Sequence, residues 1–349
     1  MILRKRSGWL YTAMSVILIA ALGVPAFAGS DRDKATRNIF AMDTYMTLQA
    51  YGDTAEEAVE DAVAEIHRLD ALLSTGREDS EVSRLNAGAA GQEAVLSEDA
   101  AFLTGRSLEL YEETGGAFDI TVYPLMKLWG FAGGEFHLPT DEELQNALEL
   151  VGSDQLAYDR SAGTLSFAKD GVEIDFGGIA KGYTSGRVMD VFRENGVQSA
   201  LVSLGGNVQA LGSKPDGSRW RVAIQNPDKE GPYIGILDIE DQAVITSGGY
   251  ERYFEENGIV YHHILDPETG WPADQGLVSV TVVSSDGSYA DGLSTSLFVM
   301  GEEKAEAFWR GHSDLFQMVL LTDGGELLAT DGLKGSFRSD LPIRWISGT

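Results

Sequence analysis

The chain of 349 residues contains no cysteine, and its 26 lysines and arginines are outnumbered by 54 aspartates and glutamates. Without cysteine it has no disulfide scaffold, no thiolate zinc site, no cysteine nucleophile and no cysteine-linked lipid anchor. The formal net charge of −28 argues against general nucleic-acid binding, which depends on basic side chains that neutralise phosphates. The same charge argues against electrostatic binding to anionic lipid. The sequence therefore predicts no nucleic-acid partner.

The first 28 residues have the pattern of a secretory signal peptide. Three basic residues at 4–6 precede an apolar run over 9–23, and Ala26 and Ala28 fit an A-x-A cleavage site. The alternative is an uncleaved membrane anchor, but the run is short of the roughly 20 apolar residues that span a bilayer. We therefore expect an exported protein, periplasmic or on the outer face of the cytoplasmic membrane. Membrane contact is expected only by proximity or through an uncleaved signal anchor.

Residues 29–349 are predicted to form a single domain of the α+β class, a mixed α/β fold. Hydrophobic residues make up 43% of the chain, enough for a substantial core, and no biased linker or internal repeat interrupts the sequence. Capping boxes at Thr54–Glu57 and Thr140–Glu143 indicate two helix starts. Residues 172–204 are predicted as one β–α–β unit. Periodicity predicts further helices over 55–73 and 290–300, a hairpin over 158–167, and strands over 219–225, 233–239, 259–265, 277–284 and 316–321.

A glycine-rich stretch, 175–182, lies where a predicted strand ends and a helix begins. Glycines there allow close approach of a ligand to the backbone, and a helix N-terminus offers N–H groups and a positive dipole end to an anion. Lys181 adds a full positive charge to an otherwise acidic chain. The stretch matches neither the Walker A nor the dinucleotide-binding pattern. It is either an anion site or an ordinary tight turn.

Asp291 and Thr295 are four residues apart in a predicted helix, so their oxygens lie on one helix face. Mg²⁺ prefers oxygen ligands, typically one or two carboxylates together with waters and substrate phosphates. The alternative is that Asp291 caps the helix and Thr295 bonds to the backbone. Spacing alone favours the second interpretation.

Two adjacent histidines follow in a predicted strand, where alternation sends His262 and His263 to opposite faces. Only one of them can face a given site, where it could act as a general base; the alternative is a structural histidine. Asp119 lies among apolar neighbours and needs a partner, either a ligand hydroxyl or backbone N–H groups. The Gly-rich stretch 203–207 is suited either to a planar ligand or to a plain turn.

Together, these segments resemble the ApbE family, the FAD:protein FMN transferases. The resemblance runs from about residue 37 to 335, through many short blocks in one order. The resemblance implies two intimately packed α/β subdomains with the flavin in the cleft between them. The blocks are 42–44, 79–86, 118–122, 175–182, 203–207, 246–248, 250–253, 262–270 and 290–295.

The resemblance also implies site residues. The metal ligands would be Asp291, Thr295 and a backbone carbonyl of Gly178 or Ala180. The catalytic residues would be Asp291 and His263, with His263 as the base and His262 facing away. The family often carries a tyrosine where this chain has Gly76, which bears on ring stacking. The positions that would contact the flavin are Met42, Ser74, Thr75, Gly76, Asp119, Lys181, His263 and Ile264.

The activity implied by the resemblance is Mg²⁺-dependent, with FAD as substrate. A Ser or Thr hydroxyl of an exported or membrane redox protein would attack the FMN-side phosphorus of FAD, AMP would leave, and FMN would remain as a phosphoester. Three alternatives stay open at this point. They are a Mg²⁺-dependent FAD pyrophosphatase giving FMN and AMP, a non-catalytic flavin-binding protein, and an exported interaction domain without a ligand.

Overall fold

A computed structural model describes residues 34–227, 231 and 233–348 of the chain. The predicted signal peptide over 1–28 lies outside these residues. Within the described part, no helix is both long and apolar enough to cross a bilayer.

Most strands belong to one nine-stranded sheet in the order β1-β2-β6-β7-β10-β13-β14-β15-β17, antiparallel except for the parallel pair β15–β17. Two three-stranded sheets, β16-β9-β8 and β3-β5-β4, and the hairpin β11–β12 complete the strands of the described residues. The strands are β1 Lys34–Ala41, β2 Thr44–Tyr51, β3 Ala94–Val95, β4 Leu156–Asp159, β5 Thr164–Phe167, β6 Ser199–Leu204, β7 Asn207–Leu211, β8 Trp220–Gln225, β9 Tyr233–Ile239, β10 Ala243–Gly248, β11 Tyr253–Glu256, β12 Ile259–His262, β13 Leu277–Ser284, β14 Gln317–Thr322, β15 Leu327–Thr330, β16 Phe337–Arg338 and β17 Ile343–Ile346.

Three long helices, α1, α6 and α7, pack together and against strands of the large sheet. Apolar clusters fill the space between these helices and the sheet, and a separate cluster joins the sheet to β8 and β9. The mixed α/β class is therefore confirmed. The helices are α1 Ala55–Leu73, α2 Glu81–Asn86, α3 Glu98–Glu113, α4 Tyr123–Leu128, α5 Asp141–Leu148, α6 Ala180–Glu194 and α7 Gly287–Gly311.

The predicted helix over 55–73 is confirmed, because its apolar residues recur at helical spacing and are buried. Its predicted capping box is wrong, because the side chain of Thr54 accepts no hydrogen bond from a backbone N–H of α1. The Thr54 hydroxyl donates instead to the carbonyl of Asn195 at 2.7 Å. The second capping box, at Thr140 and Glu143, is confirmed at the start of α5. The hairpin over 158–167 is also confirmed as β4 and β5.

The predicted β–α–β unit is wrong, because 172–176 is not a strand. Both backbone groups of Ile174 bond to the side chain of Asn86, and the Asp175 N–H donates to the carbonyl of Ile120. The backbone groups of Ile174 and the N–H of Asp175 are therefore satisfied without a sheet. The predicted helix over 290–300 belongs to the longer α7, which is interrupted at Gly301 by a φ of 77°.

Candidate functional site

The site is built where α6 and α7 cross at two glycines. The Gly182 N–H donates to Oδ2 of Asp291 at 2.7 Å. A Cβ on Gly182 would lie 2.1 Å from the carbonyl oxygen of Gly287, and one on Gly287 would lie 2.6 Å from that of Gly182. No other residue allows this approach, so the glycines place the N-terminus of α6 directly against the first turns of α7.

Asp291 is buried, with 4% of its surface exposed. Besides the bond from Gly182, its Oδ1 accepts from Nδ2 of Asn207 at 2.9 Å. Burial raises the pKa of Asp291, while Lys181, the Gly182 N–H and Asn207 oppose that rise. A carboxylate has about four lone-pair positions, so these bonds orient Asp291 and leave capacity for a cation.

The N-terminus of α6 differs from the sequence-based expectation of free N–H groups for a ligand. The N–H of Ala180 donates to the carbonyl of Phe176, and that of Gly182 donates to Asp291. The anion that this helix end stabilises is therefore a carboxylate of the protein itself. Any bound phosphate must be neutralised by side chains or by a metal ion.

Thr295 lies one turn after Asp291 on α7. Its hydroxyl is 3.3 Å from that of Ser247 on β10. A Cβ on Gly178 would be 3.8 Å from the Thr295 hydroxyl, so the glycine-rich turn and α7 are adjacent here. The carbonyl of Ala180 already accepts from the Thr184 hydroxyl at 2.7 Å, which favours the Gly178 carbonyl as the third metal ligand.

The oxygen atoms of this site fit a hard cation that also binds oxygens of a bound substrate. The described residues contain no group of three or more histidines, cysteines or acids able to hold a metal. One carboxylate, one hydroxyl and one carbonyl are the kind of set that leaves room around Mg²⁺ for phosphate oxygens and water. The residues Asp291, Thr295 and Gly178 fit that description.

Lys181 lies among acidic side chains without a close ion pair. In the described part of the chain no carboxylate oxygen comes within 4.0 Å of its Nζ, yet its charge lowers the pKa of Asp175, Glu251 and Asp291. Burial and the charge of Asp291 raise the pKa of Glu251, whereas Lys181 and Arg252 lower it. The raising effects are larger, so the pKa of Glu251 is about 7. Lys181 therefore lies among acidic side chains, and no described ion pair occupies its N–H donors.

The two adjacent histidines have different surroundings. His262 donates from Nε2 to the carbonyl of Ala273 at 3.1 Å, and its ring edge packs on Phe298. His263 contacts the carbonyl of Arg252 through Nδ1 at 3.1 Å. A carbonyl only accepts, so Nδ1 carries the proton and Nε2 of His263 keeps its lone pair. Burial, Arg252 and Lys181 lower the pKa of His263 to about 3, so it is neutral at physiological pH.

Two of the predicted flavin-contact segments meet at the end of α1. The N–H of Met42 donates to Oδ1 of Asp70, and the N–H of Ser74 donates to the carbonyl of the same Asp70. The Met42 sulfur lies 3.7 Å from the hydroxyl oxygen of Thr184 on α6. The structure therefore brings Met42 and the stretch 74–76 together, beside the helix that begins at Lys181.

Gly76 follows Ser74 and Thr75 in an open stretch. Its N–H donates to the Ser74 hydroxyl at 3.1 Å, and a Cβ on Gly76 would meet only that hydroxyl, at 3.7 Å. Space for a larger side chain is therefore present. Ile264 is buried in the core next to His263, and its carbonyl accepts from the Ala273 N–H.

The carboxylate of Asp119 accepts its hydrogen bonds from nearby residues of the protein. Its oxygens accept from the N–H and hydroxyl of Thr121 and from the N–H and hydroxyl of Ser153. This matches the alternative of a turn carboxylate bonded within the protein. The adjacent Phe118 ring lies 3.2 Å from where a Cβ on Gly178 would be, so the turn borders the site. A flavin contact by Asp119 stays a prediction.

Comparison with known proteins shows the family of this chain. The sequence model of the ApbE family matches residues 42–320. This chain belongs to the ApbE family. It is 37% identical over 257 residues to the FAD:protein FMN transferase of Vibrio cholerae, covering 72% of this chain and 76% of that protein. It is 34% identical over 280 residues to the enzyme of the same name from Haemophilus influenzae, covering 78% and 81%.

Solved structures of ApbE proteins share the fold. The ApbE protein from Thermotoga maritima superposes with a TM-score of 0.82 at 30% identity, covering 88% of this chain and 100% of that one. The flavinyl transferase ApbE from Pseudomonas stutzeri in its apo form gives 0.78 at 33% identity, covering 88% and 99%. The resemblance seen in the sequence is therefore confirmed, and so is the ApbE-like fold.

Two functional features escape analysis of the sequence. Asn207, which orients Asp291, lies in a stretch that sequence patterns also explain as a plain turn. Glu251 occurs in a segment that resembles the family, but nothing in its local sequence indicates that its partly buried carboxylate interacts with the charge of Lys181. Both depend on contacts between residues far apart in the chain.

Proposed function

We propose that this chain transfers FMN from FAD to a Ser or Thr hydroxyl of an exported or membrane redox protein, releasing AMP in a Mg²⁺-dependent reaction. Its membership of the ApbE family and the names of its relatives support flavin transfer to a protein. The observation that carries the proposal is the meeting of Asp291, Thr295, Gly178 and Lys181 where α6 crosses α7. The pattern over 1–28 supports an acceptor outside the cytoplasmic membrane.

The pyrophosphate of FAD needs positive charge in a chain of net charge −28. Lys181 supplies one charge, and Asp291, Thr295 and the Gly178 carbonyl would hold Mg²⁺. When bound, Mg²⁺ would draw negative charge from the phosphate oxygens and favour departure of AMP. Asn207 and the Gly182 N–H keep Asp291 in one orientation, so the site is preorganised before FAD arrives.

We propose His263 as the base that takes the proton of the attacking hydroxyl. Its Nδ1 proton is engaged by the Arg252 carbonyl, so the free lone pair is on Nε2. The hydroxyl oxygen forms a bond to the FMN-side phosphorus, the bond from that phosphorus to the AMP oxygen breaks, and the hydroxyl proton passes to Nε2. The pKa of His263 is low in the ligand-free protein, and the negative pyrophosphate would raise it towards the working range of a base.

Mass spectrometry tests the proposal. A purified exported redox subunit is incubated with this protein, FAD and Mg²⁺, with EDTA and FAD-free samples as controls. We expect the subunit to gain the mass of one FMN on a Ser or Thr, with one AMP released for each FMN attached. AMP release without a mass gain would instead indicate an FAD pyrophosphatase. FAD binding with no AMP would indicate a flavin-binding protein.

A further inference from the structure

The hydroxyl of Thr295 is not bonded to its own helix. A serine or threonine inside a helix commonly donates its hydroxyl proton to a carbonyl of the preceding turn. Three hydroxyls near the crossing of α6 and α7 do so, at distances of 2.7 to 2.9 Å, namely Thr184, Ser294 and Ser296. Among the described contacts, the Thr295 hydroxyl has one partner, the hydroxyl of Ser247 at 3.3 Å. The orientation of its proton is therefore set from outside α7.

Ser247, on β10, joins Thr295 to the neighbouring Ser294. Its hydroxyl oxygen lies 2.7 Å from that of Ser294 and 3.3 Å from that of Thr295. The hydroxyl of Ser294, which is fully buried, lies 2.9 Å from the backbone carbonyl oxygen of Asp291. Three hydroxyls therefore form a continuous row that ends on a backbone carbonyl of α7.

The number of protons fixes the direction of each hydrogen bond in this hydroxyl row. A carbonyl oxygen only accepts, so the single hydroxyl proton of Ser294 points to Asp291. Ser294 must then accept from Ser247, whose single proton is used in that bond. Since Ser247 has no proton left for Thr295, it accepts the proton of Thr295. The hydroxyl row thus turns the Thr295 proton towards β10.

This orientation is the one that a metal ligand needs. A hydroxyl oxygen binds a cation through a lone pair, so its proton must be directed elsewhere. With its proton on Ser247, the oxygen of Thr295 keeps its lone pairs for the side where the turn at Gly178 approaches. Hydrogen bonds in a row also polarise one another, which makes the oxygen at the donating end a better ligand.

We propose that Ser247 and Ser294 are positioning residues for the metal ion, and that they act by orienting the hydroxyl of Thr295. The inference rests on the proposed function, because it requires that Thr295 binds Mg²⁺ together with Asp291 and the Gly178 carbonyl. The two serines contribute through Thr295 rather than as ligands. Side chains that orient a metal ligand in this way typically change metal affinity by about 10 to 100-fold.

Titration with Mn²⁺ tests the hydroxyl row without relying on turnover. Mn²⁺ prefers the same oxygen ligands as Mg²⁺, and EPR spectroscopy measures the free ion in a sample that contains the protein and saturating FAD but no acceptor. We expect Ser247→Ala to raise the Kd for Mn²⁺ about tenfold and Ser294→Ala to raise it several-fold. Ser247→Thr keeps the hydroxyl and should stay within about twofold of the wild type.

Ser296→Ala is the matched control for loss of a hydroxyl. Ser296 is fully buried on the same helix, but its hydroxyl donates to the carbonyl of Gly292 and lies outside the row. Its Kd for Mn²⁺ should equal that of the wild type. Without metal, we expect Ser247→Ala and Ser296→Ala to lower the melting temperature by similar amounts, about 2–4 °C, since each loses about one hydrogen bond.

A double-mutant cycle tests whether Ser247 acts through Thr295. Thr295→Val removes the ligand hydroxyl and keeps the shape of the side chain, while Asp291 and the pyrophosphate of FAD should still hold the ion measurably. In that background we expect Ser247→Ala to leave the Kd for Mn²⁺ unchanged, because the hydroxyl that it orients is gone.

The outcomes separate this inference from the proposed function. If the wild type binds Mn²⁺ and Ser247→Ala binds it as tightly as Ser296→Ala does, the positioning role is wrong and the proposed function stands. If Ser247→Ala weakens binding equally with and without the Thr295 hydroxyl, its effect does not pass through Thr295, and the inference is also wrong. If the wild type binds no Mn²⁺, the metal assignment fails and the positioning role fails with it, while the acceptor mass still reports whether FMN is transferred.

Discussion

The crossing of α6 and α7 and the β11–β12 hairpin are two neighbouring regions with opposite construction. At the crossing, Asp291 is 4% exposed and bonded by Gly182 and Asn207. On the hairpin, Tyr253 and Val260 are about half exposed, and among the described residues β11 and β12 pair only with each other. Buried charge is tolerated only with fixed partners, so the end that would hold phosphate is rigid. The hairpin instead carries exposed apolar side chains.

Asp291→Asn should have the largest effect, since it removes the negative charge at the rigid end and keeps the side-chain shape. We expect FMN transfer, followed by acceptor mass, to fall by about 10³-fold or more. Asp286→Asn is the control, because Asp286 caps the same helix through the Tyr289 N–H. Transfer by the Asp291 variant near the wild-type rate would refute the metal assignment.

His263→Ala tests the point where the two regions meet. We expect kcat for transfer to fall by about 10² to 10⁴-fold, the range for loss of a general base. His262→Ala is the neighbouring control: its ring packs on Phe298 in the core, so it should lower the melting temperature and change kcat by only a few-fold. Equal losses of kcat in the two variants would contradict the assignment of His263 as base.

Gly182→Ala tests whether the crossing is as tight as its geometry indicates. The new Cβ would lie 2.1 Å from the Gly287 carbonyl, so we expect a loss of about 2–4 kcal/mol in the free energy of unfolding. Gly186→Ala on the same helix meets nothing within 4 Å and should stabilise the protein by about 0.5–1 kcal/mol. Urea unfolding measures both; similar values for the two would mean that the helices separate easily.

Glu251→Gln tests the electrostatics between the two regions. The folded-state pKa of Glu251 is about 7, above its ordinary value of 4.5. The folded protein then holds a proton that the unfolded chain releases, so this group costs stability as pH rises from 4.5 through 7. In metal-free protein, we expect the Gln variant to match the wild type near pH 4.5 and to exceed it by on the order of 2 kcal/mol at pH 8. A difference independent of pH would contradict the buried position.

Local patterns predicted part of this molecule well. Helix α1 and the β4–β5 hairpin follow from periodicity and turn residues, and the four-residue spacing of Asp291 and Thr295 places them on one face of α7. These features depend on residues close together in the chain. The family resemblance, carried by short blocks in order, predicted the fold class as well.

Those patterns did not predict contacts between residues that are far apart in the chain. The apolar alternation of 172–176 resembles a strand, yet Asn86 takes its backbone bonds from 88 residues away. Asn207 reaches Asp291 across 84 residues, and no local signal marks that pair. The N-terminus of α6 looked free for a ligand because the carboxylate that occupies it belongs to another helix. Charge, burial and partners of such groups are properties of the packed chain.

A structure of the complex with FAD and Mg²⁺ is the most direct test of the account. We expect one ion about 2.1 Å from a carboxylate oxygen of Asp291 and from the Thr295 hydroxyl, with the pyrophosphate beside Lys181 and the FMN-side phosphorus facing His263. An ion bound elsewhere, or a pyrophosphate distant from the crossing of α6 and α7, would contradict it.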